Sequence, residues 1–142
     1  MTVKQSDPQA ADAYAKTTRN ILVSVEPVYL EHDSMPENGH YLWAYHVTVK
    51  NNGTDTVQLM SRYWHITDGR GGIQEVRGDG VIGEQPILKA GDSYQYTSGT
   101  PLATPSGIMT GTYHMVLENG EGFDIDIPAF SLDSPFESVS VN

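Results

Sequence analysis

Apolar and polar residues alternate along most of this chain with a period of two, which is typical of β-strands. In residues 41–50, aromatic and β-branched side chains occupy every second position from Tyr41 to Val49. The same alternation runs through residues 21–30, where Pro27 indicates a bend or a sheet edge because proline cannot donate to a strand ladder. These two patterns predict strands that each present one apolar face.

Turn-forming residues divide the rest of the chain into further short strands. Asn52–Gly53 and Asn119–Gly120 carry the strongest short hairpin signal, and residues 68–72 form a glycine-rich turn. Short strands at intervals of about ten residues, without a convincing helix, predict an all-β sandwich or barrel. The additional predicted strands cover residues 56–67, 73–77, 93–97, 108–118, 123–127 and 129–132.

The length of 142 residues is that of one domain. The first residues lack the continuous apolar core of a signal peptide, so we read no export signal. Their polar composition predicts a flexible N-terminal tail over residues 1–18. We expect the folded domain to cover residues 19–134 and a flexible C-terminal tail to cover residues 135–142.

Charge and composition together exclude several classes of protein. Eight Lys and Arg against eighteen Asp and Glu give a formal net charge of −10, and such a surface repels a nucleic-acid backbone. No apolar run approaches the roughly 18–20 residues that cross a bilayer. The chain has no cysteine, which excludes disulfides, thiol nucleophiles and thiolate metal sites.

Three glycines, Gly78, Gly80 and Gly83, match the dinucleotide-binding spacing G-x-G-x-x-G. That motif works when a glycine turn leads into a helix whose N-terminal amides hold a pyrophosphate. The residues that follow have neither the length nor the periodicity of a helix, and the loop is acidic. A structural loop is therefore favoured, although a nest of backbone amides can also hold a small anion.

Other chemical signals are weak. The sequence has no nucleophile elbow, P-loop or HExxH motif, and we assign no catalytic residues. His32 lies between Glu31 and Asp33, with His40 across a loop, which is a candidate for a weak divalent-cation site. A solvated loop is the more frequent explanation of such a cluster, so we assign no metal site and expect no cofactor.

Arg62 and Trp64 share one face of a predicted strand, and both residue types anchor protein interfaces. We take them as candidate partner-binding residues. The alternative is that Trp64 packs in the centre of the sandwich while Arg62 pairs with one of the many acids. We favour this alternative for Trp64 and leave the role of Arg62 open.

Five segments together resemble the ApaG family, in order and without large gaps from about residue 19 to residue 132. They read YLWAYHVTVKNNG, VQLMSRYWHITDGRG, EVRGDGVIGEQPIL, AGDSYQYTSGTPLATPSGIMTGTYHMV and FDIDIPAFSL. The resemblance implies a fibronectin type III-like or immunoglobulin-like β-sandwich of seven to nine antiparallel strands. It also implies a bacterial cytoplasmic protein associated with cobalt resistance and magnesium efflux. The family's glycine motif, viewed as a pyrophosphate-binding loop, falls on Gly78, Gly80 and Gly83.

Two functions remain open. The first is a non-enzymatic binding or regulatory module for a protein partner, as the same domain is in larger eukaryotic proteins that include an F-box type adaptor. The second is binding of a nucleotide or polyphosphate at residues 78–83, assisted by Mg²⁺ against the acidic field. Exposed edge strands would also allow two copies to pair as a homodimer.

Overall fold

The computed structural model describes residues 14–136, which form nine β-strands in two antiparallel sheets. The predicted all-β sandwich is confirmed, and its strand number lies within the expected seven to nine. The strands are β1 Ala15–Thr18, β2 Ile21–Tyr29, β3 Tyr41–Asn51, β4 Val57–Asp68, β5 Ile73–Asp79, β6 Ile87–Leu88, β7 Ser93–Leu102, β8 Gly107–Leu117 and β9 Gly122–Leu132.

The four-stranded sheet has the order β1-β2-β3-β7, and the five-stranded sheet has the order β5-β4-β8-β9 with β6 also paired to β4. Two single-turn 3₁₀ helices, Glu31–Asp33 and Pro36–Asn38, lie in the loop between β2 and β3. Neither helix within residues 14–136 is long and apolar enough to span a membrane.

The core lies between the sheets and is rich in aromatic side chains. Trp43 and Tyr45 point inward from β3, and Tyr45 meets Trp64 of β4 with ring centroids 5.2 Å apart. Trp64 also packs edge-on against Phe130 of β9 at 6.0 Å. Each fully buried aromatic or aliphatic side chain stabilises the fold by about 1.5–3 kcal/mol. The alternation seen in the sequence therefore decides which side of each strand is buried.

The N-terminal tail predicted over residues 1–18 needs correction, because its end forms β1. This strand pairs with β2 over four residue pairs, from Ala15 opposite Ser24 to Thr18 opposite Ile21. Arg19 and Asn20 connect the two strands, both with positive φ, as in a two-residue hairpin turn of type I′. Residues 1–13 and 137–142 of the predicted tails lie outside the described residues.

Two prolines lie within strands that are longer than the sequence predicted. β9 continues through Pro128, where two separate strands were predicted, and its pairing with β8 shifts register between Met109 and Gly111. β7 continues through Pro101 to Leu102 at the edge of its sheet. A bulge or an edge position tolerates proline because no ladder hydrogen bond is lost there.

Candidate functional site

A bulge in β4 decides which of its side chains face solvent. Leu59 and Trp64 are both buried although they lie five residues apart, because the pairing of β4 with β8 shifts register between Leu59 and Ser61. Beyond this bulge Arg62, Trp64 and Ile66 share the inner face. The outer face receives Ser61, Tyr63 and His65.

A concave surface with a volume of about 640 Å³ lies on the outer face of the five-stranded sheet. We call it the outer trough. Its lining comes from four neighbouring strands: Ser61, Arg62, Tyr63, Arg77, Gly78, Asp79, Thr112, His114 and Asp124. Register places these side chains in rows, with Tyr63 between Arg77 and Thr112. Small side chains, Ser61 and Thr112, form the floor.

Tyr63 forms a fixed wall of the outer trough. Its hydroxyl donates a 2.6 Å hydrogen bond to Oε2 of Glu75, and this bond raises the pKa of the Tyr63 phenol. The guanidinium of Arg77 lies 4.4 Å from the centre of the same ring, at the distance of a cation–π contact. The wall therefore combines an aromatic surface with one charge of each sign.

Ser61, His114 and Asp124 form a row across β4, β8 and β9. Nδ1 of His114 lies 2.8 Å from Oδ1 of Asp124. A serine hydrolase triad has this order, but there the second imidazole nitrogen must reach the serine hydroxyl. Here the ring edge that carries Cε1 and Nε2 covers Gly122 of β9, on the side away from Ser61. The row therefore holds a histidine–aspartate pair beside a serine that the histidine does not activate.

Arg62 lies beneath the glycine loop and holds it in place. Its Nη1 donates to the carbonyl oxygens of Asp79 and Gly80, at 3.0 and 2.9 Å. A side chain at Gly78 would collide with the guanidinium. Sequence reasoning considered a carboxylate partner for Arg62, but its hydrogen-bond partners in the described structure are backbone carbonyls.

Trp64 lies in the core and is only 3% exposed. Its ring packs between the sheets and cannot contact a partner, so the partner-binding role predicted for it is replaced by packing. The sequence placed Arg62 and Trp64 correctly on one face. That face is buried in the core at Trp64, whereas Arg62 is half-buried beneath the glycine loop and also lines the outer trough.

The glycine motif forms a turn between strands, and β6 rather than a helix follows it. Gly80 has φ +62°, and its amide donates to the carbonyl of Met60 at 2.8 Å. Gly83 has φ +83° in a tight turn that the backbones of Val81 and Glu84 close with two hydrogen bonds. The left-handed backbone at Gly80 and Gly83 explains why both positions carry glycine. At Gly78 the explanation is the close contact with the guanidinium of Arg62.

A cluster of phenols lies inside the sandwich, and sequence reasoning missed it. The hydroxyls of Tyr96 and Tyr113 are 2.5 Å apart. Burial raises the pKa of both phenols, and it also raises the pKa of nearby Tyr45. The charge of Arg62 acts in the opposite direction on all three. Alternation put these tyrosines on inner faces, but only the order of the strands brings them together.

His32 and His40 lie exposed in the loop between β2 and β3. His40 pairs with Met35 through backbone hydrogen bonds. Within residues 14–136, no three His, Asp or Glu side chains come together as ligands for a metal ion.

A known family and several bacterial proteins resemble this chain over most of its length. The model of the ApaG domain family, DUF525, matches residues 31–117. Protein ApaG from Paramagnetospirillum magneticum is 59% identical over 91% of this chain and 99% of its own length. Protein ApaG from Parvibaculum lavamentivorans is 58% identical over 86% of this chain and 94% of its own length.

A solved structure gives the same result for the fold. The crystal structure of a Bordetella pertussis protein named ApaA has 49% identity and a TM-score of 0.79, covering 81% of this chain and 94% of that one. The sequence relatives and the solved structure agree with the family model, and the chain belongs to the ApaG domain family.

Proposed function

We propose that this chain is a non-enzymatic binding module that holds an extended segment of a protein partner in the outer trough. The trough itself carries the proposal. It is a shallow concavity of about 640 Å³ on an exposed sheet face, with a floor of small side chains and one fixed aromatic wall. Small-molecule sites usually enclose most of their ligand, whereas a polypeptide can lie along an open trough and leave one side in water.

The contacts of the trough favour binding over catalysis. His114 is oriented by Asp124 and directs its free edge to Gly122, so it does not serve Ser61 as a general base. Tyr63 and Arg77 form a stacked pair, and tyrosine and arginine are enriched among residues that dominate binding energy. The resemblance also links the chain to cobalt resistance and magnesium efflux in the bacterial cytoplasm. In this proposal the chain acts on those processes through its partner.

Polyphosphate binding at residues 78–83 is the second candidate, and one observation favours it. Arg62, Arg77 and Gly78 line the same trough. We place it second because Arg62 already donates to two carbonyls and the amides of Gly80 and Val81 already donate within the fold. The acidic neighbour Asp79 also repels a phosphate group.

A substitution that fills the trough tests the proposal. Thr112→Arg places a long side chain on the trough floor, and Thr48→Arg is its matched control because Thr48 lies half-buried on the outer face of the opposite sheet. A photo-crosslinking residue at Tyr63 would capture the partner from a cell extract. We expect Thr112→Arg to weaken the affinity of the captured, purified protein at least about tenfold, which is about 1.4 kcal/mol. Thr48→Arg should leave that affinity within about twofold.

Equal affinity for the wild type and both variants would contradict the proposal. An amide NMR titration with ATP or pyrophosphate, with and without Mg²⁺, tests polyphosphate binding separately from partner binding. Chemical-shift changes confined to residues 78–83 would favour polyphosphate binding. No chemical-shift change at about 1 mM ligand would exclude polyphosphate binding with a Kd of about 1 mM or tighter.

A further inference from the structure

The outer face of the four-stranded sheet ends in an apolar patch. Register places Val28 of β2, Ala44 of β3 and Gly99 of β7 side by side. The next row pairs Leu42 with Pro101. Val28 is 50% exposed, while Gly99 and Pro101 are exposed and the other two are half-buried. We call these five residues the apolar patch.

The side chains of the apolar patch become smaller toward the edge of the sheet. Val28 is followed across the strands by Ala44 and then by Gly99, which has no side chain. Leu42 and Pro101 border this row on one side, and His46 with Thr97 border it on the other. The surface therefore becomes lower toward Gly99, where an added Cβ would lie 3.2 Å from the carbonyl oxygen of Trp43.

Within the described residues, the Asp, Glu, Lys and Arg side chains close to the apolar patch on β2, β3 and β7 are acidic. Residues 20–49 contain no Lys or Arg, and residues 93–117 contain no Asp, Glu, Lys or Arg. Glu26 lies in the row beyond Val28, and the loop that follows β2 carries exposed Glu31 and Asp33. Among the described residues of β2, β3 and β7, the nearest Lys or Arg is Lys50, which lies six residues along β3 from Ala44, or about 20 Å.

We propose that the apolar patch binds a segment of a protein partner in which apolar residues are flanked by Lys or Arg. The apolar residues would cover Val28 and Ala44, and the bases would face Glu26 and Glu31. This second partner surface lies on the sheet opposite the outer trough and does not need that trough to be occupied. The module would then contact partners through both of its faces.

Charge argues against a second copy of this chain as the occupant. A two-fold contact through the apolar patch would bring the same acids from both copies together, and like charges facing each other are unfavourable. Pairing along the free edge of β7 is also weakened, because Pro101 cannot donate a backbone hydrogen bond.

Selection of random peptides displayed on phage tests this proposal, with the wild type as target. We expect enriched peptides to combine an apolar run with flanking Lys or Arg. Synthetic copies should shift the NMR amide signals of Val28, Ala44 and Gly99. Val28→Ser should weaken their binding at least about fivefold, because it removes an exposed apolar side chain that the peptide would cover. Gln95→Ser, which changes an exposed residue two strand positions beyond Thr97 on the same face, should stay within about twofold.

Several outcomes would overturn the proposal. One is that the peptides bind Val28→Ser as tightly as they bind the wild type. Another is that the selection enriches no peptide sequence. A wild-type dimer that Val28→Ser dissociates would identify a second copy as the occupant. Peptides that shift Tyr63 and Thr112 instead would contradict this surface while supporting the outer trough, so the two proposals fail separately.

Discussion

Gly80 combines two constraints that can be separated by experiment. Its φ of +62° is left-handed, and a Cβ would collide with the carbonyl oxygen of Glu84. Gly83 has a similar φ of +83° but meets no atom within 4 Å of its Cβ position. Left-handed backbone alone costs an alanine about 1–2 kcal/mol, and the collision at Gly80 adds to that cost.

We therefore expect Gly80→Ala to lower the free energy of unfolding by about 3 kcal/mol and Gly83→Ala by about 1 kcal/mol. Urea unfolding followed by tryptophan fluorescence measures both values. Gly83→Ala is the control for the backbone effect. Equal losses in the two variants would mean that the contact with Glu84 has relaxed and contributes nothing.

At the scale of single residues, the sequence predicted which side chains share a face of a strand, but not which of the two faces is buried. Alternation correctly put Arg62 and Trp64 together on one side of β4. Which side is buried depends on the bulge between Leu59 and Ser61, and a one-residue shift of register exchanges the two faces. No residue type in this stretch signals the bulge, so the sequence alone left partner binding and core packing as alternatives for Trp64. The structure shows core packing for Trp64, and the bonds of Arg62 to the glycine loop were not predicted.

Among the elements, sequence reasoning missed two strands, β1 and the two-residue β6. For β1 the reason is visible in the structure. Its turn contains Arg19 and Asn20 instead of the Asn-Gly pair that marks the hairpins predicted elsewhere. Its contacts are distant in sequence: the Tyr14 ring meets Phe130 at 6.1 Å, and Lys16 pairs with Asp126 at 2.8 Å. Local pattern cannot show contacts that only the assembled sandwich provides, whereas the long strands β3 and β8 carry their own signal.

The structural role of this N-terminal segment can be tested at Tyr14, which immediately precedes β1. Tyr14→Ala removes the ring from Phe130 and loosens the hydrogen bond from the amide of Val25 to the carbonyl of Tyr14. We expect a loss of about 1–2 kcal/mol in the free energy of unfolding, with faster hydrogen exchange at the Val25 amide. Ala15→Ser, at an exposed neighbouring position, should change neither. Unchanged stability in Tyr14→Ala would instead support the predicted tail.

On the scale of the whole molecule, both sheets contribute to the buried phenols. Tyr45 and Tyr96 come from the four-stranded sheet, and Tyr113 comes from the five-stranded sheet. The hydrogen bond between Tyr96 and Tyr113 therefore crosses the sandwich. Because burial raises the pKa of all three phenols, the folded state holds these protons more tightly than the unfolded chain does.

Alkaline pH should therefore weaken the sandwich through this cluster. The stabilisation is complete below the unfolded phenol pKa of about 10 and is lost as the pH rises toward the higher folded values. Each group lowers the free energy of unfolding by at most about 1.4 kcal/mol per pH unit, or about 4 kcal/mol for the three. Urea unfolding between about pH 8 and pH 11 measures this slope. Tyr96→Phe should reduce the slope more than half-buried Tyr63→Phe does, because burial raises the pKa of Tyr96 strongly, whereas the pKa of Tyr63 is raised mainly by its hydrogen bond to Glu75. Equal slopes in the two variants would show that the buried cluster does not set the alkaline limit of the fold.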